Sequence, residues 1–216
     1  MKFLLAIAFI FLACSDNHLT FWRENNIEVE EEEQLNAVKK DKTAKYDSLS
    51  KVALAYCKAN NLHAEKYLLF DLGTHSGLKR LFIYNLKQNK IDTAFLVSHG
   101  SGKNPWGNDL SKENPEVSNV PDSHCSSVGK YIIGNRDVSQ WGIKIKYWLH
   151  GKERTNNNAA KRVVVLHSWE DVTDEEVFPR GTVESWGCPA VSLSTMAYLD
   201  AFLKPYQNKM LMWVVK

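Results

Sequence analysis

From Lys66 onward the apolar residues fall into short runs separated by turn residues, and this rhythm limits the chain to a fold built mainly of β-strands. "KYLLFDL" (66–72) and "RLFIYNL" (80–86) flank the turn "GTHSG", and "DTAFLVS" (92–98) follows "KQNK", the pattern of a β-meander. "GKYIIG" (129–134) predicts a short strand. "IKIKYWLH" (143–150) alternates, with Ile143, Ile145, Tyr147 and Leu149 on one face. "RVVVLH" (162–167) is a continuous run that predicts a strand buried on both faces, and "MLMWVVK" (210–216) predicts a closing strand.

Helices flank these strands. Residues 34–62 read as a helical segment, with Leu49, Val52, Ala53 and Tyr56 at i, i+3, i+4 and i+7. Asp47 or Ser48 is its expected cap, and "NNLH" (60–63) its end. "SLSTMAYLDAFLK" (192–204) predicts a second helix capped by Ser192, with Met196, Leu199 and Leu203 as its apolar stripe and Pro205 as its stop. Two long segments rich in turn residues, 99–128 and 168–184, each follow a predicted strand with a histidine at its end. Long connections of this kind tend to form functional walls or lids.

The N-terminus reads as a leader. One lysine precedes an apolar run from Phe3 to Ala13, which is too short for a permanent span and suits a secretory segment. The run ends at Cys14, Ser15 and Asp16, which resembles a bacterial lipoprotein signal with Cys14 as the lipidated residue; plain secretion is the alternative. The expected organisation is a signal at 1–14, an acidic tether at 15–33 with Glu30–Glu33 as a solvated run, a helical segment at 34–62, and one domain at 63–216. A chain of 216 residues with 44% hydrophobic content can form a core without staples. The net charge of +2, with no Lys/Arg cluster, argues against a nucleic-acid partner, and a monomer is expected.

Four cysteines are present: Cys14, Cys57, Cys125 and Cys188. If Cys14 carries lipid, three remain, so one thiol stays unpaired; Cys57 with Cys125 is the pairing that leaves Cys188 free. Cys188 lies in "ESWGCPAVS" (184–192), after His167 at the end of a predicted strand. A thiol beside an imidazole suits acyl transfer, because the thiolate is the attacking species and a neutral thiol of pKa about 8.5 supplies little of it at neutral pH. Gly187 permits close backbone approach, Pro189 restrains the turn, and the N–H groups of Gly187 and Cys188 are candidate donors to an oxyanion. The other imidazole nitrogen needs an acceptor that fixes the tautomer, either backbone or Ser185.

The order histidine, seventeen residues, then Ser185-Trp186-Gly187-Cys188 resembles the L,D-transpeptidase (YkuD-like) family, with Trp186 where that family carries a second histidine. "VSHGSGKNP" (97–105), "SNVPDSHCSSVGKYIIG" (118–134) and "LHGKERTNNNAAKRVVVLH" (149–167) extend the likeness to the murein L,D-transpeptidase branch over roughly residues 65–204. The resemblance implies a β-sandwich or open-barrel catalytic domain at the periplasmic face of a bacterial envelope, acting on peptidoglycan stem peptides. It implies Cys188 as nucleophile and His167 as base, with a thioester passed to an amine to form a 3–3 cross-link. Transfer to water would make an L,D-carboxypeptidase instead, and a non-catalytic envelope-binding module is a further alternative.

Ser185 is expected to hydrogen-bond around the site. His99, Ser126, Trp186 and Arg162 are candidate substrate contacts; for His99 a satisfied strand-end histidine, and for Arg162 a structural ion pair, are the competing readings. Trp141 and Trp148 read as core. The carboxylates of "EDVTDEE" read as a solvated lid. His124 beside Cys125 lacks further ligands at metal spacing, so neither metal nor other cofactor is expected.

Overall fold

A computed structural model describes residues 44–216; the expected signal, Cys14, the acidic tether and residues 34–43 of the expected helical segment lie outside the described residues. The chain divides into two compact units, 1–48 and 49–216. Residues 44–48 of the first are helical. Because helix already runs through Asp47 and Ser48, neither caps it.

The second unit begins with helix over 49–59 (α1), in which Ala53 and Cys57, four residues apart and so on one face, are fully buried. Val52, expected in the stripe, is 48% exposed: the buried face is turned one position toward Ser50, Ala53 and Cys57. α1 ends as expected at "NNLH". Asn61 takes the left-handed conformation (φ 54°), which lets the Leu62 N–H reach back to the Cys57 carbonyl at 2.9 Å.

Eight strands follow: β1 (Lys66–Asp71), β2 (Leu81–Asn85), β3 (Lys90–Phe95), β4 (Gly129–Val138), β5 (Ile145–Gly151), β6 (Val165–Ser168), β7 (Ala190–Val191) and β8 (Met210–Val215), with helix α2 (Leu193–Leu203) between the last two. They form one sheet in the order β3-β2-β1-β8-β4-β5-β6-β7. β1–β2–β3 is the expected antiparallel meander. Only β1–β8 and β6–β7 pair in parallel. Beyond β3 the chain runs back to the other edge, where the Ser98 N–H donates to the Ala190 carbonyl at 2.8 Å and the Ala190 N–H to Ser98 Oγ at 3.1 Å. The two sheet edges therefore nearly meet, and the mainly β, open-barrel fold with flanking helices is the one the sequence predicts.

Alternation fills the core. Leu68 and Phe70 of β1, Leu81 and Ile83 of β2, Tyr131 and Ile133 of β4, Tyr147 and Leu149 of β5 and Met210, Met212 and Val214 of β8 point inward. Met196, Leu199 and Leu203 of α2 pack on the same cluster, as their spacing predicts. Ser192 caps α2 by accepting from the Thr195 N–H at 3.1 Å. Asp174, read from sequence as part of a solvated lid, instead accepts hydrogen bonds from Ser192, Ser194 and Thr195 and pins its loop to that cap.

Two further expectations fail. "RVVVLH" is not strand throughout: β6 starts only at Val165, and Val163 sits at φ 57° and is 53% exposed. Successive turns over 156–164, closed by Val163 N–H to Ala160 O and Val164 N–H to Ala159 O, override the β-branched composition there. Cys57 and Cys125 are not paired; both are buried free thiols, and the partly exposed Cys188 is also free.

Asp200 ties α2 to the sheet. Its carboxylate accepts from Arg136 Nε (2.7 Å) and the Tyr147 hydroxyl (2.8 Å) and pairs with Lys204 (3.0 Å). Burial alone would raise its pKa, but the bonds from Arg136, Lys204 and Tyr147 outweigh that and hold it at about 2. An unfolded aspartate titrates near 3.9, so the stabilisation is present above that value and is lost as pH falls from about 4 toward about 2. We expect Asp200→Asn to cost about 2 kcal/mol in urea unfolding at pH 7, with the cost disappearing near pH 2. An equal cost at both pH values would show that the charge contributes nothing.

Candidate active site

The turn "ESWGC" enters the sheet through β7. The parallel pairing of β6 with β7 sets His167 opposite Ala190, with Trp169 N–H donating to Val191 O at 2.9 Å. A two-residue strand thus brings the cysteine turn alongside the histidine strand. The Ser185 hydroxyl braces that turn: Oγ lies 2.6 Å from the Cys188 carbonyl and 3.2 Å from the His99 carbonyl, and it accepts from the Gly187 N–H at 3.2 Å. Gly187 has φ 101°, and a Cβ there would lie 2.6 Å from the Cys125 carbonyl oxygen. No other residue fits that position without moving backbone.

The sulfur of Cys188 touches the bend before β6. It accepts from the Val165 N–H at 3.4 Å, and its S–H faces the Val163 carbonyl at 3.5 Å. Both contacts are to backbone. The left-handed conformation of Val163, unusual for a β-branched residue, turns that carbonyl toward the thiol. Burial pushes the thiol pKa up, against the pull of the Val165 N–H and the charges of Arg162 and Lys146.

His167 is buried, and its Nδ1–H donates to the Ser168 carbonyl at 2.9 Å. A neutral imidazole carries one N–H, so this bond leaves Nε2 as the acceptor. Burial holds the ring below its ordinary pKa, although the Ser168 carbonyl pulls the other way. The resting pair is therefore a neutral thiol and a neutral base, not a preformed ion pair. Cys188 and His167, with Trp141 and Val163, line two adjoining cavities of about 430 and 360 Å³. The larger is walled by Trp106, Trp169 and Trp186 with Arg162 at its edge; the smaller carries Ser139, Gln140 and Lys146. β5–β6 pairing explains Lys146, which sits opposite His167.

The remaining sequence candidates separate. Arg162 lines the larger cavity, but its guanidinium is occupied in bracing the 118–127 loop: Nη1 donates to Ser118 O and Ser127 Oγ, Nη2 to Cys125 O at 2.6 Å. Trp186 is 61% exposed and stacks on His124 at 4.9 Å. The Gly187 N–H is engaged by Ser185, whereas the Cys188 N–H donates to no group among the described residues. Ser126 is buried away from both cavities, with Oγ accepting the Gly100 N–H at 3.0 Å. His99 also lies outside them. It is fully buried, accepts from Arg80 Nη2 at 2.7 Å through Nδ1, and faces Ser111 Oγ at 2.9 Å through Nε2. Ser111 in turn donates to Glu184 at 2.7 Å. This chain joins a fully buried arginine to a buried carboxylate.

Sequence reading missed Arg80, Glu184, Lys146, Trp106 and Trp169. A usable signal existed for Trp106: an indole within the polar "SGKNPWGND" has no local apolar partner. For Arg80 and Glu184 there was none, since their connection runs through residues distant in the chain.

A free thiol that shares its cavities with a neutral imidazole on an open-barrel scaffold defines a class of candidate thiol acyl-transfer sites. The model of the L,D-transpeptidase catalytic domain matches residues 40–213, and the chain belongs to that family. No curated protein sequence matches. Two crystal structures of the helical cell shape determining protein Pgp2 from Campylobacter jejuni, one of a mutant, are similar at 13% identity, with TM-scores of 0.43 and 0.41. Each similarity covers 70% of this chain and 48% or 47% of the other, so this chain spans about half the length of those proteins.

The neutral resting pair gives a measurable pH dependence. We expect alkylation of Cys188 by iodoacetamide, followed by peptide mass spectrometry, to be slow at pH 7 and still climbing above pH 8.5, the ordinary thiol value of about 8.5 being exceeded. A rate that levels off below pH 7 would mean a thiolate–imidazolium pair instead.

Proposed function

We propose that this protein is a peptidoglycan L,D-transpeptidase that works through a Cys188 thioester on stem tetrapeptides and forms 3–3 cross-links. The observation that carries this reading is the shared cavity position of Cys188 and His167, with the ring's Nδ1–H fixed on the Ser168 carbonyl so that Nε2 is open to a proton. Family membership supports a substrate in the bacterial cell wall.

The steps follow from these groups. Nε2 takes the thiol proton as the sulfur attacks the L,D-amide carbon; the S–C bond forms and the carbonyl oxygen becomes an oxyanion. The Cys188 N–H, unpartnered among the described residues, is left to donate to that charge, while Ser185 and Gly187 hold the turn that carries it. As the C–N bond breaks, imidazolium returns the proton to the departing D-alanine amine. An acceptor side-chain amine then attacks the thioester and gives its proton to Nε2, the thiolate leaves, and it recovers that proton. Two cavities meeting at the thiol leave room for a donor on one side and an acceptor on the other, which favours transfer to an amine over transfer to water.

Among the described residues no helix is long and apolar enough to cross a membrane. We place the protein at the periplasmic face of the envelope as a monomer, anchored through lipid on Cys14, on the strength of its N-terminal sequence and its family.

Incubation of the protein with disaccharide-tetrapeptide should give cross-linked dimers and free D-alanine by mass spectrometry, and Cys188→Ala should reduce both at least about a thousandfold. Tripeptide without dimer would assign the carboxypeptidase reaction. Unchanged turnover in Cys188→Ala would defeat the proposal.

A further inference from the structure

Three large indoles stand together at the mouth of the larger cavity. Trp106, Trp141 and Trp186 are 48%, 47% and 61% exposed. Isolated exposed apolar side chains are ordinary, but a contiguous group at a cavity is a mark of binding. They come from three separate loops and converge on one another. Trp106 lies flat on the buried Trp169 (5.0 Å between centroids, 8° between planes), and meets Trp141 at 6.0 Å and Trp186 at 6.1 Å. Trp186 is backed by His124, with the ring planes nearly parallel at 13°. Trp106 and Trp186 are thus each backed by a stacked ring. None of the four indole N–H groups donates to a protein acceptor among the described residues, so each remains available to a ligand acceptor.

Charge narrows the ligand. Arg162 is the one ionic side chain in this lobe, and no carboxylate lines it. Lys146 adds a second cation at the adjoining lobe. Aromatic cages for ammonium groups work by attracting a cation, and here two cations stand against it. The remaining fit is a neutral ring with an apolar C–H face for the indoles and acceptor oxygens for their N–H groups, which describes a pyranose with hydroxyl or acetamido substituents. The volume of about 430 Å³ lies in the usual range for a ligand site.

Resting on the function proposed above, we infer that the indole-walled lobe binds an amino-sugar ring of the glycan to which the stem peptide is attached. The protein then acts on sugar-linked stems in preference to free peptide, and Trp106 and Trp186 set that preference.

The test uses the full chain as Cys188→Ala, so binding is read without turnover. Saturation-transfer NMR is recorded with N-acetylglucosaminyl-N-acetylmuramic acid alone, with free tetrapeptide, and with tetramethylammonium chloride. The disaccharide C–H protons should receive saturation, and its affinity should fall roughly tenfold in Trp106→Leu and in Trp186→Leu, both checked for native circular dichroism. In the active protein, kcat/KM for disaccharide-tetrapeptide should exceed that for free tetrapeptide roughly tenfold, through KM, and Trp106→Leu should bring the ratio toward one. Should Trp106→Leu not fold, Trp106→Phe, which keeps a smaller flat face, should give an intermediate ratio. No saturation of the sugar protons, binding of tetramethylammonium in their place, or a wild-type ratio of one overturns the inference. Absence of any turnover with sugar binding intact would count against the proposed reaction and not against the sugar site.

Discussion

Two residues of parallel strand hold the site together. The pairing of Ala190–Val191 against His167–Ser168 sets the cysteine turn alongside the histidine strand. The same short strand also receives Ser98 from the far edge of the sheet, so barrel closure and site assembly share one set of backbone hydrogen bonds. The Cys188 carbonyl is gripped from both directions, by the Ser185 hydroxyl at 2.6 Å and the Ser98 hydroxyl at 3.4 Å.

Behind this turn lies a buried polar chain from Arg80 through His99 and Ser111 to Glu184. A buried guanidinium without partners would be prohibitively unfavourable. Arg80 is satisfied by the carbonyls of Thr74 and Val97 and by His99, and burial still pulls its pKa down to about 9. Glu184 is held below its usual range, since the bonds from His99 and Ser111 overcome the effect of burial. Its neighbour Ser185 donates its N–H to the His99 carbonyl at 2.7 Å. The network therefore fixes the backbone on which the cysteine turn stands, and this accounts for His99 as part of the scaffold and not of the cavity wall.

The sequence disclosed the candidate cavity residues more readily than the geometry that arranges them. A thiol between glycine and proline and a histidine in an apolar strand can be found by residue type and order. So can the meander and α2, whose alternation and cap are local signals. What escaped was decided by tertiary contacts. β7 is too short for any periodicity. "RVVVLH" has strand composition, yet turn hydrogen bonds from 156 to 164 claim its first half. The apolar face of α1 was placed one residue away because Val52 has the composition of core and the exposure of surface. Ser126 and His99, attractive as polar residues in a loop, are satisfied by Gly100 and Arg80, partners that only the fold brings near.

The central physical claim is that His167 waits as a neutral imidazole protonated on Nδ1, with Nε2 available to the thiol. Multiple-bond ¹H–¹⁵N correlation spectra of ¹⁵N-histidine-labelled protein, assigned with His167→Gln, measure this directly. At pH 7 the account predicts a neutral His167 ring with a protonated Nδ1 and a pyridine-like Nε2, becoming charged only below the ordinary histidine value of about 6.5. An imidazolium at pH 7, or a neutral ring protonated on Nε2, would contradict it.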